Sequence, residues 1–94
     1  MFIIDLDYIV PLEELDQHMA AHVKFLNKYY KKGIFVASGR KVPRTGGIIL
    51  CKSADYDSVK SVIREDPFNI NNVADYEITE FRVADHAKEF NWEI

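Results

Sequence analysis

His22 is the residue of this chain best suited to proton chemistry. Histidine is the side chain whose ordinary pKa lies nearest neutrality, which fits general acid–base work. It stands in the series Leu12, Leu15, Met19, His22, Val23, Leu26, Tyr30. Those three- and four-residue steps put it on the apolar stripe of a helix, facing a sheet. That position admits two readings: a core histidine bonded to a backbone carbonyl, or an acid–base group set over a cleft. His18 lies four residues earlier, a spacing at which two histidines can share a metal. No glutamate follows Gln17-His18 to make a metalloprotease motif, and no acid occurs between Gln17 and Ala54, so no metal is expected.

A second group of residues is gathered by chain order. Tyr8 ends a first strand, Ser38 and Gly39 end a second, and Arg40, Lys41 and Arg44 follow in a Gly- and Pro-rich stretch read as a loop, Gly39–Gly47. Tyr8, Ser38, Arg40 and Arg44 are expected to converge near the start of the first helix and form a pocket. The three bases either attract an anionic ligand or decorate a solvated turn. Asp66-Pro67-Phe68 falls at the same edge. It reads as a helix stop with Phe68 as a plug, with Asp66 as a further candidate for binding substrate. Asp5 and Asp7 alternate away from the apolar face of the first strand, toward solvent or an interface. Gly46-Gly47 reads as a tight turn or bulge. Cys51 sits in an apolar strand and is expected to be inert core.

The elements that position these groups follow from periodicity. Phe2, Ile4, Leu6, Tyr8 and Val10 alternate, giving a strand. Pro11 opens a helix of about five turns, closed by Gly33. Ile34–Ser38 and Ile48–Cys51 are short apolar strands. Asp55–Glu65 has Tyr56, Val59, Val62 and Ile63 at helical spacing, and Pro67 ends it. Asp75–Val83 reads as a fourth strand, and Phe90 and Trp92 suggest that a tail over 84–94 packs on something. The order β-α-β-β-α-β is the ferredoxin-like split βαβ pattern: α+β, with a four-stranded antiparallel sheet and both helices on one face. Ile3, Ile9, Phe35, Ala37 and the apolar third strand are expected to leave the other face too apolar for water. A second copy of the chain, sheet to sheet, is the simplest cover.

Composition bounds the function classes. Ninety-four residues make room for a single domain over 1–94, and 48% hydrophobic content excludes a disordered chain. One cysteine excludes an internal disulfide framework. No apolar run is long enough for a membrane helix, and the N-terminus lacks the basic region of a signal peptide, so a cytoplasmic protein is expected. The net charge of −3 hides an acid-free middle: Gln17 to Ala54, 38 residues, carries eight bases. Nucleic acid is not an expected partner, given the negative net charge and the lack of a matching motif. No P-loop, GxGxxG or HExxH motif occurs, and no cofactor is required by anything in the sequence.

These features resemble the YciI-like (YCII-related) family over about residues 1–83. The resemblance rests on the N-terminal strand, Ala21-His22-Val23-Lys24-Phe25-Leu26, Gly33 and the apolar strand after it, and Ala37-Ser38-Gly39. It rests also on Pro43-Arg44-Thr45-Gly46-Gly47, Ile48-Ile49-Leu50 and Glu65-Asp66-Pro67-Phe68. It implies a ferredoxin-like fold, a dimeric α+β barrel and an active site centred on a helix histidine, here His22. In relatives an aspartate after the second-strand glycine partners that histidine. Arg40 to Gly47 contains no acid, so this sequence departs from the family there. Ser38 or a substrate group is left to orient His22, or the site only binds. One activity among relatives is removal of chloride from a chlorinated hydroxyquinol; related barrels isomerise lactones or degrade small aromatics. Two functions are therefore carried forward. One is a lyase- or isomerase-like enzyme for a small anionic or hydroxylated ring, with His22 moving a proton. The other is a noncatalytic ligand-binding or interaction module on the same dimeric scaffold.

Overall fold

A computed structural model describes residues 1–90. The strands are β1 (Phe2–Tyr8), β2 (Phe35–Arg40), β3 (Gly46–Cys51) and β4 (Ala74–Glu80). The helices are α1 (Leu12–Asp16), α2 (Met19–Lys31), α3 (Tyr56–Ile63) and α4 (Pro67–Ile70). One sheet runs in the order β2-β3-β1-β4, with every neighbouring pair antiparallel. This is the ferredoxin-like α+β arrangement that the alternation and helical spacings predict.

The period-two pattern of β1 sorts the sheet into two faces. Phe2, Ile4 and Leu6 are buried beneath the helices with Leu15, Phe25, Val59, Ile63 and Phe68. Leu6 lies opposite Gly47 on β3 and Tyr76 on β4, so all three share that inner face. Ile3, Asp5 and Asp7 point outward, opposite Leu50, Ile48 and Gly46 on one side and Thr79, Glu77 and Asp75 on the other. The outer face is therefore not uniformly apolar, as the sequence suggested. It is apolar over β2–β3 and acidic over β1–β4. Lys41 answers part of that charge, donating to Asp7 Oδ1 at 2.8 Å and lying 2.6 Å from Asp5 Oδ1. Phe35 also departs from expectation. A register shift between Phe35 and Ala37 turns Phe35 inward, where it is 3% exposed among Phe25, Tyr29 and Tyr30. The extra residue of such a bulge reverses the alternation, which strict period two cannot anticipate.

Two boundaries bear on the site. The expected five-turn helix is two helices, α1 and α2, broken at Gln17 and His18. There the amide of Gln17 bonds to the Glu14 carbonyl and that of His18 to the Leu15 carbonyl, the tighter three-residue spacing. The expected loop from Gly39 shrinks to Lys41–Thr45, because Gly39 and Arg40 stay paired with Ile48 and Gly47. Arg40 is thus a strand residue. Gly46 permits the close approach of β3 to β1: a Cβ there would overlap the Leu6 carbonyl. Trp92 lies outside the described residues; Phe90 is half-buried at the end of the tail. Among the described residues, no helix is long and apolar enough to cross a membrane.

Candidate functional site

His22 occupies the second turn of α2, its amide bonded to the His18 carbonyl. That turn lies over the C-terminal ends of β1 and β2, and His22 is 8% exposed. Its ring stacks on Phe68, with centroids 3.9 Å apart and planes within 4°. Phe68 in turn meets the edge of Tyr8 at 6.0 Å. Phe68 therefore forms the inner wall that the sequence suggested as a plug.

Asp66 is the partner of His22. Its Oδ1 lies 2.7 Å from His22 Nδ1 across 44 residues of chain, and Asp66 is 0% exposed. The same oxygen accepts the Phe68 amide at 3.0 Å, as an N-cap carboxylate does. The other oxygen, Oδ2, accepts the Tyr76 hydroxyl at 2.5 Å. An ionised carboxylate only accepts, so the bonding pattern assigns the proton of a neutral His22 ring to Nδ1. Nε2 is then the basic nitrogen, free for the cavity that His22 lines. Burial and the Asp66 charge push the Tyr76 phenol well above its ordinary range, so it remains a donor.

This placement corrects two expectations. An acid does face His22, but from the turn after α3 rather than after the second-strand glycine. Asp66 itself, expected as a substrate contact, is 0% exposed and is not among the residues lining the cavity; both its oxygens accept hydrogen bonds inside the protein.

A cavity of about 400 Å³ opens beside His22. Its wall includes Leu6, Met19, Leu26 and Ile49 as apolar surface. Tyr8, Ser38, Arg40 and Arg44 all line it, as their chain positions suggested. Ser38 and Arg40 reach it because both lie on the inner face of β2, opposite Ile49 and Gly47. Ser38 Oγ is 2.5 Å from the Tyr30 hydroxyl, a bond that holds it at the rim. The two arginines differ. Arg44 donates to both oxygens of Asp16 at 2.5 and 3.4 Å, closing the hairpin loop onto α1. That pair holds the Asp16 carboxyl below its usual value. Arg40 has no ion-pair partner among the described residues. His18 stands at the helix break, half-buried, and is not part of this wall. Among the described residues, no group of three His, Cys, Asp or Glu side chains could hold a metal.

Sequence reasoning missed Tyr76 and the bond between Asp66 and His22. The available signals were weak: an Asp-Pro pair that suits an N-cap, and an inward aromatic on β4.

The model of the YCII-related domain matches residues 1–82. The chain belongs to the YCII-related family. None of the curated proteins matches it. Among solved structures it is similar to 5-chloro-2-hydroxyhydroquinone dehydrochlorinase from Burkholderia phenoliruptrix, determined with 2,5-dihydroxybenzoquinone. The TM-score is 0.73 at 18% identity, covering 97% of this chain and all of the other. At that identity the likeness shows the YCII-related fold alone. The descent of His22 and Asp66 into one buried pair is a feature of this YCII-related chain's own geometry.

Proposed function

We propose that this YCII-related protein is a small-molecule enzyme that needs no resident cofactor. It transfers a proton on a small anionic or hydroxylated ring, in the manner of a lyase or isomerase. The observation that carries this reading is the buried His22–Asp66 pair opening on a cavity of about 400 Å³. Asp66 fixes the tautomer, and His22 Nε2 takes a proton from a ring hydroxyl or an acidic ring carbon and returns it to another position. Asp66 also stabilises the imidazolium formed in between. Phe68 and the aliphatic wall exclude water and receive the planar ring. Arg40, the arginine with no ion-pair partner among the described residues, meets negative charge as it develops on a ring oxygen. Tyr8 and Ser38 orient the ligand's hydroxyls, and Arg44 borders the mouth while clasping Asp16. The dehydrochlorinase with the same fold, whose name places a chlorinated hydroxyhydroquinone in its site, supports a ring substrate of this class.

The noncatalytic reading drew its strength from the lack of an acid between Arg40 and Gly47. Asp66 supplies that acid from elsewhere in the chain. We further propose that the protein works in the cytoplasm as a homodimer packed through the outer sheet face, with the apolar strip of Ile3, Ile48 and Leu50 at the contact.

The test is direct. A panel of hydroxylated and chlorinated quinols and hydroxybenzoates is screened with the purified protein, followed by absorbance and by solvent deuterium incorporation. Turnover or exchange that falls by about 10²–10⁴-fold in His22→Gln, the range of general acid–base contributions, is the expected result. Ligand binding with no turnover or exchange in either protein would overturn the enzymatic reading in favour of the binding module.

A further inference from the structure

The His22–Asp66 pair has a third member that its two-residue description omits. Asp66 is fully buried and receives three donors: His22 Nδ1, the Phe68 amide and the Tyr76 hydroxyl. The first two share Oδ1. Oδ2 has Tyr76 as its hydrogen-bond donor, at 2.5 Å. Tyr76 stands on β4, opposite Leu6, on the inner face of the sheet. It thus approaches Asp66 from the sheet, while His22 approaches from α2. A carboxylate so held cannot rotate without losing a bond.

We propose that Tyr76 is a positioning residue, which locks the Asp66 carboxylate so that His22 keeps its proton on Nδ1 and offers Nε2 to the cavity. Tyr76 does not line the cavity and acts only through Asp66. Its phenol stays protonated because burial and the adjacent carboxylate disfavour the phenolate. Without the hydroxyl, Oδ2 becomes a buried carboxylate oxygen with no donor, a costly state. The carboxylate relieves it by turning, which loosens the hold on Nδ1 and lets the other His22 tautomer appear. The inference deepens the acid–base reading of His22 and rests on it, yet its readout requires no substrate.

The experiment is long-range proton–nitrogen correlation NMR on the ¹⁵N-histidine-labelled protein at pH 8. The His22 signals are assigned by comparison with His22→Gln. In the wild type, Nδ1 should resonate as a protonated ring nitrogen and Nε2 as an unprotonated one. In Tyr76→Phe, which retains the ring, the two resonances should move toward each other as the tautomers mix. Tyr29→Phe is the control. It removes another tyrosine–carboxylate bond, that to Glu65; neither residue lines the cavity or bonds to Asp66 through its side chain, so His22 should be unchanged. An unchanged His22 pattern in folded Tyr76→Phe would overturn the proposal and leave Tyr76 a packing residue. Should that variant not fold, the wild type alone decides. Its Tyr76 hydroxyl proton should give a slowly exchanging downfield resonance with a cross-peak to the tyrosine ring, and absence of that resonance overturns the proposal. Mixed tautomers in Tyr76→Phe, with no turnover by either protein, support the role of Tyr76 and count against the enzymatic function.

Discussion

The rings of His22 and Phe68 lie face to face, 3.9 Å between centroids and 4° from parallel. Phe68 follows Asp66 by two residues, so one short turn supplies both the acceptor for Nδ1 and the surface on which the imidazole rests.

Removing that surface should affect stability and ligand affinity together. Phe68→Ala should cost about 3–5 kcal/mol, as for other buried aromatics. Phe68→Leu keeps most of the volume and should lose roughly 0.5–1.5 kcal/mol, the share of an aromatic pair beyond its area. Urea denaturation reads both. Binding of a planar ring ligand, followed by calorimetry, should weaken in Phe68→Leu while the fold persists.

Asp66→Ala strands three donors: His22 Nδ1, the Phe68 amide and the Tyr76 hydroxyl. At about 1–3 kcal/mol for each buried group left unsatisfied, the loss should be at least about 3 kcal/mol. Asp66→Asn retains one acceptor oxygen and should lose less. If the two variants denature at the same urea concentration, the stated bonding of Asp66 is wrong.

Gly46 and Gly39 give a matched pair of backbone tests. A Cβ at Gly46 would overlap the Leu6 carbonyl, whereas nothing lies within 4 Å of one at Gly39. Gly46→Ala must therefore shift β3 against β1, an overpacking cost of about 1–3 kcal/mol or more. Gly39→Ala should be nearly neutral in thermal denaturation.

The Arg44–Asp16 clasp should respond to acid. The Arg44 guanidinium, by hydrogen bond and charge, lowers the Asp16 pKa below its ordinary value of 3.8. A carboxylate with a depressed folded value contributes stability above its unfolded value and loses it as pH falls through the folded one. The clasp should hold at neutral pH and open only below the ordinary aspartate range. The Arg44 Nε–H resonance reports this directly, and Asp16→Asn should abolish the acid transition.

Cys51 should be silent toward thiol reagents. It is 0% exposed, and burial pushes its thiol up to about 11. Ellman's reagent at pH 8 should label the folded protein only through unfolding, so the rate should rise with urea in step with the unfolded fraction.

The legible parts of this molecule were those written in short periods. The alternation of Phe2, Ile4 and Leu6 names the buried face of β1, and the helical steps from Met19 to Tyr30 place His22 over the sheet. Tyr8, Ser38, Arg40 and Arg44 were placed together from topology alone, and all four line one cavity. What stayed hidden depends on distance or on local irregularity. His22 and Asp66 are 44 residues apart, and no periodicity links them. Asp66-Pro67 carries a helix-stop signal strong enough to mask a second role. The bulge beside Phe35 reverses a face, and Gly39 before Arg40, with Pro43 and Gly46-Gly47 after it, disguises a strand as a loop. The break at His18 is invisible because apolar spacing continues through it from Leu15 to Met19.

The triple anchoring of Asp66 also bears on reorganisation. In water, moving a proton to a base requires many solvent dipoles to turn, and that rearrangement makes up much of the barrier. Here the imidazole meets a buried carboxylate that is itself held by a backbone amide and a phenol, all already oriented. On the acid–base reading proposed for His22, a positive charge arriving there would find its compensating field in place and ask little movement of its surroundings. One four-residue helix and its N-cap, Asp66, carry most of that preparation.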